Sequence, residues 1–145
     1  MLNNYKINIE GRETIDGMDD GISLFTLGDY DKTEKGFRIS YMDTETTGFA
    51  GDITTLETDG DKSITVRRRG KSFMDLVVEK DRRNVSHYDT EYGSMLIGVR
   101  GNDLRIDLDD DGGTVSFRYA LDIDTNIVSE HSLDITVKKG NIYEQ

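Results

Sequence analysis

The sequence predicts an all-β domain that closes on itself as an antiparallel barrel, and three observations carry that prediction. Apolar side chains alternate with polar ones over most of the chain, turn signals interrupt it at short intervals, and proline is absent. Alternation lets half of each strand be buried while the other half stays wet. Many short strands at such spacing belong to sandwiches or barrels. The lack of proline suits a sheet whose strands pair on both sides, because proline cannot donate to a ladder.

The elements follow in order. Tyr5, Ile7 and Ile9 share a face, as do Phe37, Ile39 and Tyr41, and then Ile64, Val66 and Arg68. Phe73 to Asp81 offers the one helical alternative, through Phe73, Leu76 and Val77, but Lys80 breaks that spacing. Met74, Leu76 and Val78 fit a strand, and paired valines favour it. Met95, Ile97 and Val99 align next, then Leu104, Ile106 and Leu108. Val115, Phe117, Tyr119, Leu121 and Ile123 form the longest series, and Leu133, Ile135 and Val137 close the chain. Turn signals stand at Gly11, Gly21, Lys35-Gly36, Thr47-Gly48, Asp59-Gly60-Asp61, Gly70, Tyr92-Gly93, Gly101-Asn102-Asp103 and Gly112-Gly113. The expectation is one domain over residues 1–145, about eight to ten strands in one barrel, with hairpin turns at Asp59-Gly60 and Gly112-Gly113.

Composition narrows the function. With 34% hydrophobic and 32% charged residues and a net charge of −11, the chain would lean towards disorder if its apolar residues were scattered; their alternation is what permits a core. There is no cysteine, which removes disulfides, thiolate zinc sites and cysteine nucleophiles. His87 and His131 are too few for most histidine-based metal sites, so no metal and no cofactor is expected. The start, MLNNYKINIE, lacks the basic segment and apolar run of a signal peptide. No stretch approaches the apolar length of a membrane helix, and the cytoplasm is the expected location. The acidic balance works against polyanions, since nucleic-acid affinity rests on Lys and Arg neutralising phosphates. The one basic run, Arg67-Arg68-Arg69, divides between two strand faces. Neither nucleic acid nor a membrane is an expected partner, and nothing fixes an oligomeric state.

Two acidic motifs invite chemistry. Asp43-Thr44-Glu45-Thr46-Thr47-Gly48 matches the first signature of proofreading-type 3′–5′ exonucleases, whose Asp and Glu bind two divalent ions. The third signature needs a histidine five residues before an aspartate, but His87 meets Tyr92 and His131 meets Thr136. The helices of that fold are also missing from the pattern. The reading adopted is a polar turn, exposed enough that Asp43 and Glu45 would tolerate Asn and Gln. Asp107 to Gly112 imitates the start of a calcium loop, but the twelfth position is Arg118 where a bidentate Glu belongs. A hairpin tip explains it, with at most weak calcium binding over 107–113.

A third group is physically sharper. Arg68 falls on the apolar face of Ile64 and Val66, and Tyr41, Tyr119 and His131 fall on apolar faces beside Ile39, Phe117 and Leu133. A buried guanidinium must be paired. Either an internal carboxylate serves, with Asp75 or Glu79 on the next strand as candidates, or a bound anion does. The strand-end alternative puts these polar tips at the rim.

A set of landmarks runs through the chain from about Gly28 to Lys138: the Thr47-Gly48 and Gly51 turn, the Thr54-Thr55-Leu56 strand, Arg68 with Gly70, Tyr88, Tyr92-Gly93 and the Gly112-Gly113 hairpin. In these and in their order the chain resembles the YwiB-like family of small bacterial proteins. The family usually has a proline where this chain has Glu91. The resemblance implies a calycin-like (lipocalin-like) β-barrel and no established activity.

The resulting expectation is a non-enzymatic barrel that binds a small molecule, anionic or amphipathic, through Arg68, Tyr41, Tyr88, Tyr119 and His131. The alternatives are a metal-dependent exonuclease using residues 43–48, and a barrel filled by its own side chains that acts as a scaffold.

Overall fold

Every apolar series named above becomes one face of a strand. The computed structural model describes residues 3–44, 50–71, 73–90 and 93–140. Its strands are β1 (Tyr5–Ile15), β2 (Met18–Lys32), β3 (Phe37–Met42), β4 (Ile53–Asp59), β5 (Ser63–Arg69), β6 (Phe73–Glu79), β7 (Arg83–Thr90), β8 (Gly93–Asp109), β9 (Gly112–Ile123) and β10 (Asn126–Lys139). Each pairs antiparallel with its neighbour in sequence, and β1 pairs with β10 to close a ten-stranded barrel. Phe73 to Glu79 is a strand, as the paired valines suggested.

Directions alternate, so the β1–β2, β3–β4, β5–β6, β7–β8 and β9–β10 connections gather at one end. The other end carries the remaining turns and both ends of the barrel's strand series. That second end is packed shut. Ile7, Ile39, Ile64, Val78, Val99, Val115, Phe117 and Val137 are all but inaccessible. Beneath them Tyr30 stacks on Phe37 at 5.2 Å and meets Tyr5 edge-on at 5.3 Å. The Tyr30 hydroxyl donates to the Asp109 carbonyl at 2.6 Å, and burial, helped by the nearby Asp109 charge, pushes its pKa far up.

Several turn signals belong to strands instead. Gly11 and Gly21 lie inside β1 and β2, and the first reversal is at Asp16-Gly17. Gly112-Gly113 opens β9, with the hairpin tip at Asp110-Asp111, whereas the turn after Asp59 sits where it was expected. Gly101-Asn102-Asp103 is a β-bulge inside the 17-residue β8. The reason is visible in the phase of the pattern. Ile97 and Val99 are inward at odd numbers, Leu104, Ile106 and Leu108 at even ones, while β9 opposite keeps odd numbers throughout. One extra residue, Asn102, restores the match. Gly101 also approaches β6 so closely that a Cβ would collide with the Glu79 carbonyl.

That approach marks a split in the wall. β6 and β7 pair only at Phe73 with Asp89 and Met74 with Tyr88. Beyond that, Asn84 Nδ2 reaches the Val77 carbonyl at 3.4 Å and Glu79 Oε1 at 3.2 Å, giving acceptors there a side-chain donor in place of the ladder.

On the outer surface Arg83 of β7 grips Asp122 of β9 across β8, Nε to Oδ2 at 2.9 Å and Nη2 to Oδ1 at 2.6 Å. The strand between contributes Gly98, where any Cβ would strike both side chains. The Arg83 hydrogen bonds hold the Asp122 carboxyl below its ordinary pKa. A carboxyl with a lowered folded pKa adds stability above its unfolded value and loses it as pH falls through the folded one. Arg83→Met should therefore raise the midpoint pH of acid unfolding, read by circular dichroism; an unchanged midpoint would mean that the fork contributes nothing.

Candidate functional site

The inward alternation of β3, β4 and β5 carries polar residues to the open end of the interior. On β3 the series Ile39, Tyr41 continues into Asp43, just past the strand; on β4 it runs Leu56 to Thr54; on β5 it runs Val66 to Arg68. Tyr41, Thr54 and Arg68 lie directly across from one another. Arg68 Nε stands 3.6 Å from Asp43 Oδ2, with the carboxylate side chain wholly buried and the guanidinium side chain 14% exposed. Thr54 donates its hydroxyl hydrogen to the same Oδ2, and Arg68 Nε reaches Thr54 Oγ1 at 3.4 Å. Asp43 Oδ1 is buried with no hydrogen-bond partner among the described residues.

This arrangement corrects two expectations. Asp43 is no exposed turn residue: it is 3% exposed and is a counter-ion of Arg68. The internal carboxylate is also neither Asp75 nor Glu79. Asp75 lies on the outer face, 2.8 Å from Arg69 Nη2, and Glu79 accepts from Asn84. Residues 45–48 of the DTETTG motif lie outside the described residues, as does Tyr92. At the calcium-like hairpin, Asp109 Oδ1 accepts from the Asp111 backbone N–H at 2.8 Å, an arrangement of a turn.

Across the interior, β9 and β10 supply a second polar layer. Tyr119 is sandwiched between Phe117, at 5.8 Å, and His131, at 4.9 Å. His131 Nε2 shares a hydrogen bond of 2.8 Å with Ser129 Oγ. Burial pushes the Tyr119 hydroxyl up to about 12, with Arg68 opposing and Glu13 adding to the shift. Tyr41 is pushed up further, by burial first and the Asp43 charge second. Burial lowers His131, with Glu13 opposing.

These layers bound a cavity of about 380 Å³. Its walls are apolar on Ile9, Leu56, Val66, Leu76 and Ile135. Arg68, Tyr41, Tyr88, Tyr119 and His131, the residues singled out in the sequence, all line it. Asp43, Thr54, Ser129, Glu13 and Asp20 line it too and were missed as site residues. The signal for Asp43 and Glu13 was present, since Asp43 extends an inward series by one step (Ile39, Tyr41, Asp43) and Glu13 extends another by two (Ile7, Ile9, Gly11, Glu13). Towards the hairpins the inward series end in exposed apolar residues, Ile15, Met18, Met95 and Ile123, which form a collar above the cavity.

The sequence profile of DUF1934, a domain of unknown function, matches residues 7–135. Among solved structures, the chain is similar to the crystal structure of ywiB protein from Bacillus subtilis. The two share 18% identity, the match covers 94% of this chain and 92% of that one, and the TM-score is 0.80. That likeness is one of fold. No curated protein matches the chain.

Two outcomes test the site. Arg68→Met strands Asp43 and should cost about 3–5 kcal/mol in urea unfolding, whereas removing both charges with Asp43→Asn added should recover part of that loss. For His131, the folded pKa lies below the ordinary 6.5. Its contribution to stability is therefore complete above 6.5 and is lost as pH falls from there towards the folded value. His131→Gln should flatten stability against pH in that window, and an unaltered slope would count against a buried neutral imidazole.

Proposed function

The chain belongs to the DUF1934 family, a domain of unknown function, and from that premise we propose that its barrel is a non-enzymatic binder of a small amphipathic molecule. The observation that carries this reading is unfilled space. A ten-stranded barrel need not be hollow, and the far end of this one is packed solid. The near end instead leaves about 380 Å³, within the range of small-molecule sites. Apolar walls with a few convergent polar groups are what such a site needs: the walls supply burial, and Arg68, Tyr41, Tyr88, Tyr119 and His131 supply orientation.

The commitment of Asp43 supports binding over metal-dependent nuclease chemistry. A carboxylate that holds catalytic ions must be free to meet them, and here Oδ2 is already shared by Arg68 and Thr54 while Oδ1 is buried. The same pairing removes the need for an anionic guest to neutralise Arg68. A polar, amphipathic ligand remains the better fit.

Mass spectrometry of small molecules carried through purification tests the reading. A defined organic molecule should accompany the parent protein and be absent from Val66→Phe, whose added ring would occupy the cavity while the melt stays cooperative. Recovery of the same molecule with both proteins would place it elsewhere and end this proposal.

A further inference from the structure

The charges around the cavity do not balance. On the inward face of β1 and β2, Glu13 and Asp20 stand directly opposite each other in the register, and Glu13 is likewise opposite His131, itself opposite Tyr119. One row thus runs Asp20, Glu13, His131, Tyr119 across four strands at the mouth. Cβ atoms of directly opposed residues lie about 4.5–5.5 Å apart, and like charges so placed destabilise a sheet. Neither carboxylate has an ion-pair partner among the described residues. Asp20 Oδ1 accepts only the neighbouring Gly21 N–H, at 2.9 Å. Arg12 borders the mouth, but alternation puts it on the outer face, and it pairs with neither carboxylate.

A second, independent observation comes from the opposite wall. Asp43 lines the same cavity with its side chain wholly buried, and its Oδ1 lacks a donor among the described residues. The one inward guanidinium among the described residues, Arg68, is already set against Asp43 Oδ2. Among the described residues, three carboxylates therefore line the space against one inward guanidinium, and what the lining lacks is compensating positive charge. Carboxylates accept only, so a guest that satisfies them must donate.

We propose that the guest is a small organic cation, an amine or amidine on an apolar body, whose charged nitrogen sits at the Glu13–Asp20 level. This rests on reading the cavity as a binding site. The apolar body lies against Ile9, Leu56, Val66, Leu76 and Ile135 beneath. An ammonium between the two carboxylates turns a repulsive pair into two charge-assisted contacts. The −11 charge of the whole chain adds long-range attraction for such a molecule and repels its anionic counterpart.

Calorimetric titration with octylamine, octanol and octanoate separates the head group from the tail. Octylamine should bind about tenfold or more tighter than either of the others, a preference that weakens with added salt. In Glu13→Gln/Asp20→Asn that preference should vanish while octanol binding is kept, and the ligand-free variant should melt higher than the parent because the repulsion is gone. Equal binding of amine and alcohol, preference for octanoate, or an amine preference that survives in the double variant would each overturn the cationic guest and leave the cavity reading standing. If none of the three binds, the cavity reading itself falls, and this inference with it.

Discussion

A carboxylate and a guanidinium buried together inside a barrel set the terms for everything around them. Asp43 and Arg68 come from opposite sides of β4, and Thr54 on that strand hydrogen-bonds to the Asp43 carboxylate and to Arg68. Three consecutive strands are thereby held at one level by polar contacts in a place where an apolar residue could have been packed. Desolvating both ions is costly, and a buried pair seldom stabilises more than a well-packed hydrophobic substitute. The pair stands at the edge of unfilled space, where both side chains line the cavity. The tyrosines that face it, Tyr41 and Tyr119, keep their protons because burial forbids a further anion beside Asp43 or Glu13.

Division of labour along the barrel axis follows. One end is filled by branched aliphatic residues and closed by the Tyr5, Tyr30 and Phe37 rings. The other keeps a cavity whose lining shifts from aliphatic at its floor to acidic and aromatic at its mouth. Rigidity is supplied from outside as well as within: the Arg83–Asp122 fork ties β7 to β9 over Gly98, close to the splayed junction of β6 and β7. An open interior needs such external ties, since it lacks the internal packing that would otherwise fix neighbouring strands.

Much of this was legible residue by residue. Strict alternation on β1, β3, β5, β6, β9 and β10 named the inward residues correctly, including Arg68, Tyr119 and His131, because side chains on a strand must point to opposite faces. It failed in two instructive places. At β8 a glycine, an asparagine and an aspartate in succession read as a turn, yet the strand continues through them as a bulge, and only the facing positions on β9 show that one residue had to be absorbed. At Asp43 a string of threonines and a glycine made the whole segment read as surface, although the residue itself continues the series of Ile39 and Tyr41.

The sequence by itself determined the class of fold, the strands and which side chains turn inward, since these depend on spacing along the chain. The family, too, was recognisable from local motifs in their order, and it is the family found. Only the tertiary structure decided which charges meet. Arg68 and Asp43 are 25 positions apart, yet 3.6 Å separates their charged atoms, and the expected partners Asp75 and Glu79 were excluded by falling on the outer face of β6. Likewise the opposition of Glu13 and Asp20 is a matter of register, and the cavity is a matter of volume left over when ten strands close. Pairing, register and unfilled volume are properties of strands brought together, and no strand carries them alone.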